Sequence, residues 1–178
     1  DSTISTTLAN GVLVVQDVPL QPIERVNFTV NVIEEGTGNP IGNAEVLFNE
    51  VNNNASLNYT TNANGIVNDP NFISATYSVI AGKWGYRTKE VPITVNSANN
   101  SITIELPIGY YDDFALDFNW TVTGNANAGI WERGEPVGTF GQGTIFNPED
   151  DITTDISDQC YVTGNGGGGI GSDDVDGG

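Results

Sequence analysis

VNFTVNVIEE, residues 26–35, alternates strictly over its first seven positions: Val26, Phe28, Val30 and Val32 fall on one face, and Asn27, Thr29 and Asn31 on the other. A period of two sends successive side chains to opposite faces of a strand, so this segment reads as a half-buried β-strand. Outward from it the same vocabulary recurs in short pieces. These are residues 45–48 (EVLF), 57–61 (LNYTT), 72–80 (FISATYSVI), 88–95 (TKEVPITV) and 101–106 (SITIEL). Turn-forming residues separate them: EGTGNPIGNA over 35–44, Asn62-Ala63-Asn64-Gly65, and Asn99-Asn100. No apolar stripe of helical period is present. The chain reads as nearly all-β, and strands at this spacing imply a small sandwich.

The ordered residues Thr37-Gly38-Asn39-Pro40-Ile41, Ala44 and Val46, Thr61 and Gly65, Tyr77 and Val79, Gly85-Tyr86, then Ile102, Ile104 and Leu106 carry a resemblance. Residues 25–108 resemble the carboxypeptidase regulatory-like domain, which implies a transthyretin-like β-sandwich serving as a spacer or adhesion module. An unrelated Ig-like sandwich has the same physics. Residues 12–20 (VLVVQDVPL) look like another final strand, so 1–24 is read as the end of a preceding copy or a linker strand.

Charge narrows the partners. Five Lys+Arg face 23 Asp+Glu, a formal net charge of −18. Such a surface repels phosphate backbones and anionic membranes, so nucleic acid is excluded. The sequence holds no His, which removes Ser-His-Asp and Cys-His catalysis and His-ligated zinc. The single Cys160 cannot form an internal disulfide and sits in an apolar strand-like run, as an inert buried thiol would. No transmembrane run is present, and neither direct membrane insertion nor a signal peptide is expected. Because Asp1 is an unusual first residue, a processed or excised chain is expected.

Residues 109–178 change character, with Trp120, Trp131, more acids and more glycines. Tyr111-Asp112-Asp113-Phe114, Trp120-Thr121-Val122, Gly129-Ile130-Trp131-Glu132-Arg133-Gly134 and Gln159-Cys160-Tyr161-Val162-Thr163 resemble the start of a jelly-roll module of secreted multidomain Bacteroidetes proteins. The resemblance implies further strands after Gly178, and hence a truncated module with open edges. Asp112 and Asp113 open this segment, Glu149, Asp150 and Asp151 lie mid-way, and Asp173, Asp174 and Asp176 close it. Calcium takes six to eight oxygens, and the Gly-rich run 164–171 offers carbonyls beside Asp112, Asp113, Asp173, Asp174 and Asp176, although EF-hand spacing is absent. A solvated acidic loop is the plainer account. Carboxylate pairs also occur in glycosidases, but on so acidic a chain they arise by chance.

Aromatic residues are the remaining candidates. Trp84, Tyr86, Tyr110, Tyr111, Trp120 and Trp131 are ring types that stack on sugars, and equally the large core residues of a thin sandwich. Trp120 alternates with Phe118 and Val122, which favours core. Trp84, in Gly82-Lys83-Trp84-Gly85-Tyr86, is expected to pack at the sandwich end. Five N-x-S/T sequons arise in an Asn-rich chain, and Asp1-Ser2-Thr3 resembles a Bacteroidetes O-glycosylation motif. A self-forming Lys–Asn isopeptide needs a first-strand Lys, and residues 26–35 have none. No catalytic residue is assigned. The leading expectation is a non-catalytic structural or interaction segment of a larger secreted or cell-surface bacterial protein. Alternatives are the accessory region of a secreted hydrolase and a carbohydrate-binding module. Expected partners are protein or glycan at the cell surface, with homo-assembly as a further option.

Overall fold

The computed structural model describes residues 22–169, 171 and 175. The strand expected within 12–20 lies outside them. The chain is all-β, and seven strands build two sheets facing one another. Strands β1 (Arg25–Glu34), β4 (Ile66–Ile73) and β7 (Ser101–Leu106) form one sheet in the order β4-β1-β7. Strands β2 (Glu45–Glu50), β3 (Ser56–Thr60), β5 (Thr76–Gly82) and β6 (Lys89–Thr94) form the other, in the order β3-β2-β5-β6. All pairings are antiparallel except β1 with β7, which run parallel from Thr29↔Ser101 to Glu34↔Leu106.

The alternation of β1 has the expected consequence: Val26, Phe28, Val30 and Val32 are buried between the sheets. They meet Val46 and Phe48 of β2, Phe72 of β4, Tyr77 and Val79 of β5, and Ile104 and Leu106 of β7. Phe48 is the hub. Its ring centroid lies 5.9 Å from Phe28, 5.7 Å from Tyr59, 4.9 Å from Phe72 and 5.7 Å from Tyr77. Tilted and edge-on pairs of this kind add to simple area burial.

The run 72–80 is not one strand. It ends β4 at Ile73, crosses through Ser74 and Ala75, and begins β5 at Thr76 in the opposite sheet. Ser74 Oγ donates to the Val95 carbonyl at 2.7 Å and ties down the crossing. β4 starts earlier than its apolar pattern suggests and contains Pro70. Proline is tolerated there because β4 is an edge strand and its register with β1 shifts between Val26 and Phe28.

Of the residues that carried the family resemblance, Ile41, Ala44, Thr61 and Gly65 meet where the loop after β1 approaches the turn after β3. The buried Thr61 hydroxyl donates to the Ile41 carbonyl at 2.8 Å and accepts from the Ala44 amide at 2.8 Å. Gly65 holds φ at +71°, and a Cβ there would sit 2.4 Å from the Val32 carbonyl oxygen, so only glycine fits. Lys83 and Lys89 donate to the carbonyls of Gly42 and Glu105, away from the buried face of β1.

Beyond β7 the chain folds back on the outer face of the four-stranded sheet. Ala115 and Leu116 cover Ile80, with Leu47, Phe118 and Ile156 around them. Gly82 makes room, since a Cβ there would lie 2.8 Å from Leu116 Cδ1 and 3.2 Å from Phe118 Cζ. Farther on, β8 (Trp131–Gly134) pairs with β11 (Cys160–Thr163). β9 (Thr139–Gly141) pairs with β10 (Thr144–Asn147) through Gln142-Gly143, both at positive φ as a tight hairpin turn requires. The described residues of 109–178 thus show two two-stranded sheets, β8 with β11 and β9 with β10. Their strands are three or four residues long, and β10 is exposed throughout, so little core is available to draw them into larger sheets.

Candidate functional site

Three tryptophans exist in this chain, and each leaves about half of its surface in water: Trp84 51%, Trp120 50% and Trp131 53%. The core placement expected for Trp120 is therefore incorrect. Residues 118–122 form no strand, because Asn119 adopts φ 60° and breaks the extended run that the alternation suggested. Its amide donates to Asp117 Oδ1 at 2.8 Å, which closes a local turn and swings Trp120 outward.

The outward indole is nonetheless held. Trp120 Nε1 donates to Asp112 Oδ2 at 2.6 Å, while Asp112 Oδ1 accepts the Phe114 amide at 2.9 Å. Phe114 is a second non-glycine residue at positive φ, 55°. Its carbonyl accepts Nε and Nη2 of Arg133, and Nη2 also reaches the Ala115 carbonyl at 3.1 Å. Such left-handed non-glycine positions persist only where the surroundings over-determine them, and they gather at binding sites. Tyr161 of β11 donates its hydroxyl to the Trp120 carbonyl at 3.2 Å and packs edge-on against Phe114, centroids 5.3 Å apart. On the sandwich side, the turn after β5 places Trp84 edge-on to Trp120 at 5.3 Å and to Tyr110 at 5.6 Å. Trp84 does sit at the sandwich end, but as a rim and not as packing.

Two adjacent open depressions result, with the Trp120 ring and Thr121 shared between them. One, about 430 Å³, is walled by Phe114, Trp120, Trp131 and Tyr161; the other, about 340 Å³, by Trp84, Phe118 and Trp120. The larger falls within the roughly 300–1,000 Å³ typical of ligand clefts. Phe114, Tyr161 and the Asp112 anchor escaped the sequence reading. Asp112 two residues before Phe114 is a side-chain-to-backbone turn signal, but nothing local announces that its second oxygen holds an indole. Of the other candidate aromatics, Tyr86 donates to Glu34 Oε2 at 3.0 Å and Tyr111 lies under Arg87, so neither joins the groove.

The acids expected to bind calcium are distributed differently. Both Asp112 oxygens are engaged as above. Asp113 is 3% exposed, with its Oδ1 3.4 Å from the Ala115 amide. Burial above all, then the nearby Asp112 and Asp155, pushes its carboxyl above the ordinary carboxylate value, and the amide contacts oppose this. Asp173, Asp174 and Asp176 lie outside the described residues. Among the described residues no three metal-competent side chains converge. Cys160 is partly buried, and burial followed by Asp151 and Asp155 raises its thiol further above neutrality, which disfavours the reactive thiolate.

No family model matches this chain. No curated protein matches it either. Among solved structures, the major pilin subunit of Bacillus cereus, in a variant form, aligns at 14% identity and TM-score 0.38, covering 46% of this chain and 30% of that one. The pilus 2b backbone protein of group B streptococcus aligns at 17% identity and TM-score 0.40, covering 48% of this chain and 42% of that one. The chain thus spans less than half the length of either.

Proposed function

We propose that this chain is a non-catalytic interaction segment of a larger extracellular or cell-surface protein, in which a transthyretin-like sandwich supports an exposed aromatic face. One observation carries the reading: every tryptophan of the chain is half-exposed, and all three border the same pair of depressions. Leaving three indoles in water forfeits burial that a folding core would use, and hydrogen-bonding Trp120 in that position adds order without hiding the ring. Rigid aromatic surface of this kind is what contact sites use, since ordering cost is met before the partner arrives. The absence of His in the sequence and the resemblance of residues 25–108 to a spacer domain support the same reading. No helix among the described residues is long and apolar enough to cross a membrane.

The expected result is that Trp84→Ala/Trp120→Ala costs less than about 1.5 kcal/mol in urea melts, against about 3–5 kcal/mol for a fully buried aromatic. Global unfolding of that double variant would make these rings core and remove the proposal. Calcium at Asp112, Asp113, Asp173, Asp174 and Asp176 is a separate proposal. A cation on Asp112 competes with the Trp120 indole, so calcium should raise the melting temperature and change tryptophan fluorescence together, both reversed by chelator. No change in either rejects it.

A further inference from the structure

We infer that the aromatic face takes a neutral oligosaccharide, bound along an internal stretch of its chain across Trp120. This rests on the reading of that face as a contact surface, and adds the chemistry of what it contacts.

Charge comes first. The chain has a formal net charge of −18, yet no charged side chain lines either depression. Neither an anionic nor a cationic ligand would find a counter-charge among the residues of the groove walls. The chemistry of the walls comes next. Trp120, Trp131, Tyr161 and Phe114 offer ring surface, while Thr121 and Thr123 bring hydroxyls that no other described residue engages. On the far side of Trp120 the Asn119 side-chain amide is free in the same sense; only its backbone is hydrogen-bonded. A pyranose matches this mixture, with an apolar C–H face to lie on a ring and a girdle of hydroxyls for a few polar groups. A purely apolar segment would leave those hydroxyls and the amide facing it without partners, at a cost.

Shape sets the length. The two depressions share Trp120 and Thr121 in their linings and both are open, so a ligand laid over Trp120 can extend toward either. A chain of at least two sugar rings is required to use both, and an open trough does not select a chain end. The platform is preorganised, because the Trp120 indole is fixed by Asp112 and its backbone by Tyr161.

The test is a panel of neutral hexaoses (β-1,4-gluco, β-1,4-xylo, β-1,4-manno and α-1,4-gluco) with polygalacturonate as the anionic arm. Each is titrated into the full chain and followed by tryptophan fluorescence and calorimetry. At least one neutral hexaose should bind, polygalacturonate should not, and Trp120→Ala should weaken binding at least about tenfold, or about 1.4 kcal/mol, while the chain stays folded. Binding that Trp120→Ala leaves intact, or preference for the polyanion, overturns the inference. If no glycan binds but Trp84→Ala/Trp120→Ala abolishes self-association of the chain, a second copy covers this face; the sugar is then wrong and the contact surface stands. If no glycan binds and Trp120→Ala unfolds the chain, both readings fail.

Discussion

Phe48→Ala is expected to lower the unfolding free energy by about 3–5 kcal/mol, the range for removing a fully buried aromatic ring. Phe48 is completely inaccessible and touches four other rings drawn from both sheets. Truncation removes the transfer free energy of the ring and leaves a void bounded by Phe28, Phe72 and Tyr77. Those side chains are themselves fixed by β-ladders and cannot collapse into it fully. Against a total stability of about 5–15 kcal/mol for an ordinary domain, this is a large fraction. In urea titrations the midpoint should fall while the slope holds, since the area exposed on unfolding barely changes. A loss under about 1 kcal/mol would mean that the two sheets are not clamped through this ring.

Thr61→Val is expected to cost about 2–6 kcal/mol, and Thr61→Ser less than about 1.5 kcal/mol. Valine keeps the shape of threonine but strands two buried backbone groups, the Ala44 amide and the Ile41 carbonyl, which the Thr61 hydroxyl now satisfies at 2.8 Å each. Each stranded group costs about 1–3 kcal/mol. Serine retains the hydroxyl and loses one methyl. The contrast between the pair is the informative measurement: equal losses would show that packing and not hydrogen bonding accounts for Thr61. The spacing of Ile41, Ala44, Thr61 and Gly65 thereby acquires a physical cause. Hydroxyl, small side chain and left-handed glycine are needed where the loop after β1 meets the turn between β3 and β4.

Strands were most legible where one face is buried and the other wet. β1, β2 and β7 declare themselves by a period of two, because burial on a single face is what creates that pattern. β4 was mostly missed. Its residues Asn68, Asp69, Pro70 and Asn71 look like a loop, and an edge strand is the one ladder position that tolerates such composition. The passage of 72–80 from one sheet to the other was equally invisible, since apolar residues continue through a crossing whichever sheet receives them. Trp120 failed for the opposite reason: its neighbours alternate well, but a left-handed Asn119 ends the extended conformation that alternation presumes.

Composition and period alone determined that this protein is all-β, strongly acidic, without histidine chemistry, and built on a core seeded by Val26, Phe28, Val30 and Val32. These properties are local or additive, and each residue contributes to them wherever it ends up. Which aromatics face water was decided only by tertiary structure. Trp84, Trp120, Trp131, Phe114 and Tyr161 are spread over nearly eighty positions, and they meet because residues 115–118 pack on the outer sheet face over Ile80 and Gly82. That packing brings Trp120 to Trp84 and Asp112, while Arg133 and Tyr161 anchor the returning segment. A ring's exposure depends on what the rest of the chain places over it, and that is a property of long-range contacts that no window of sequence contains.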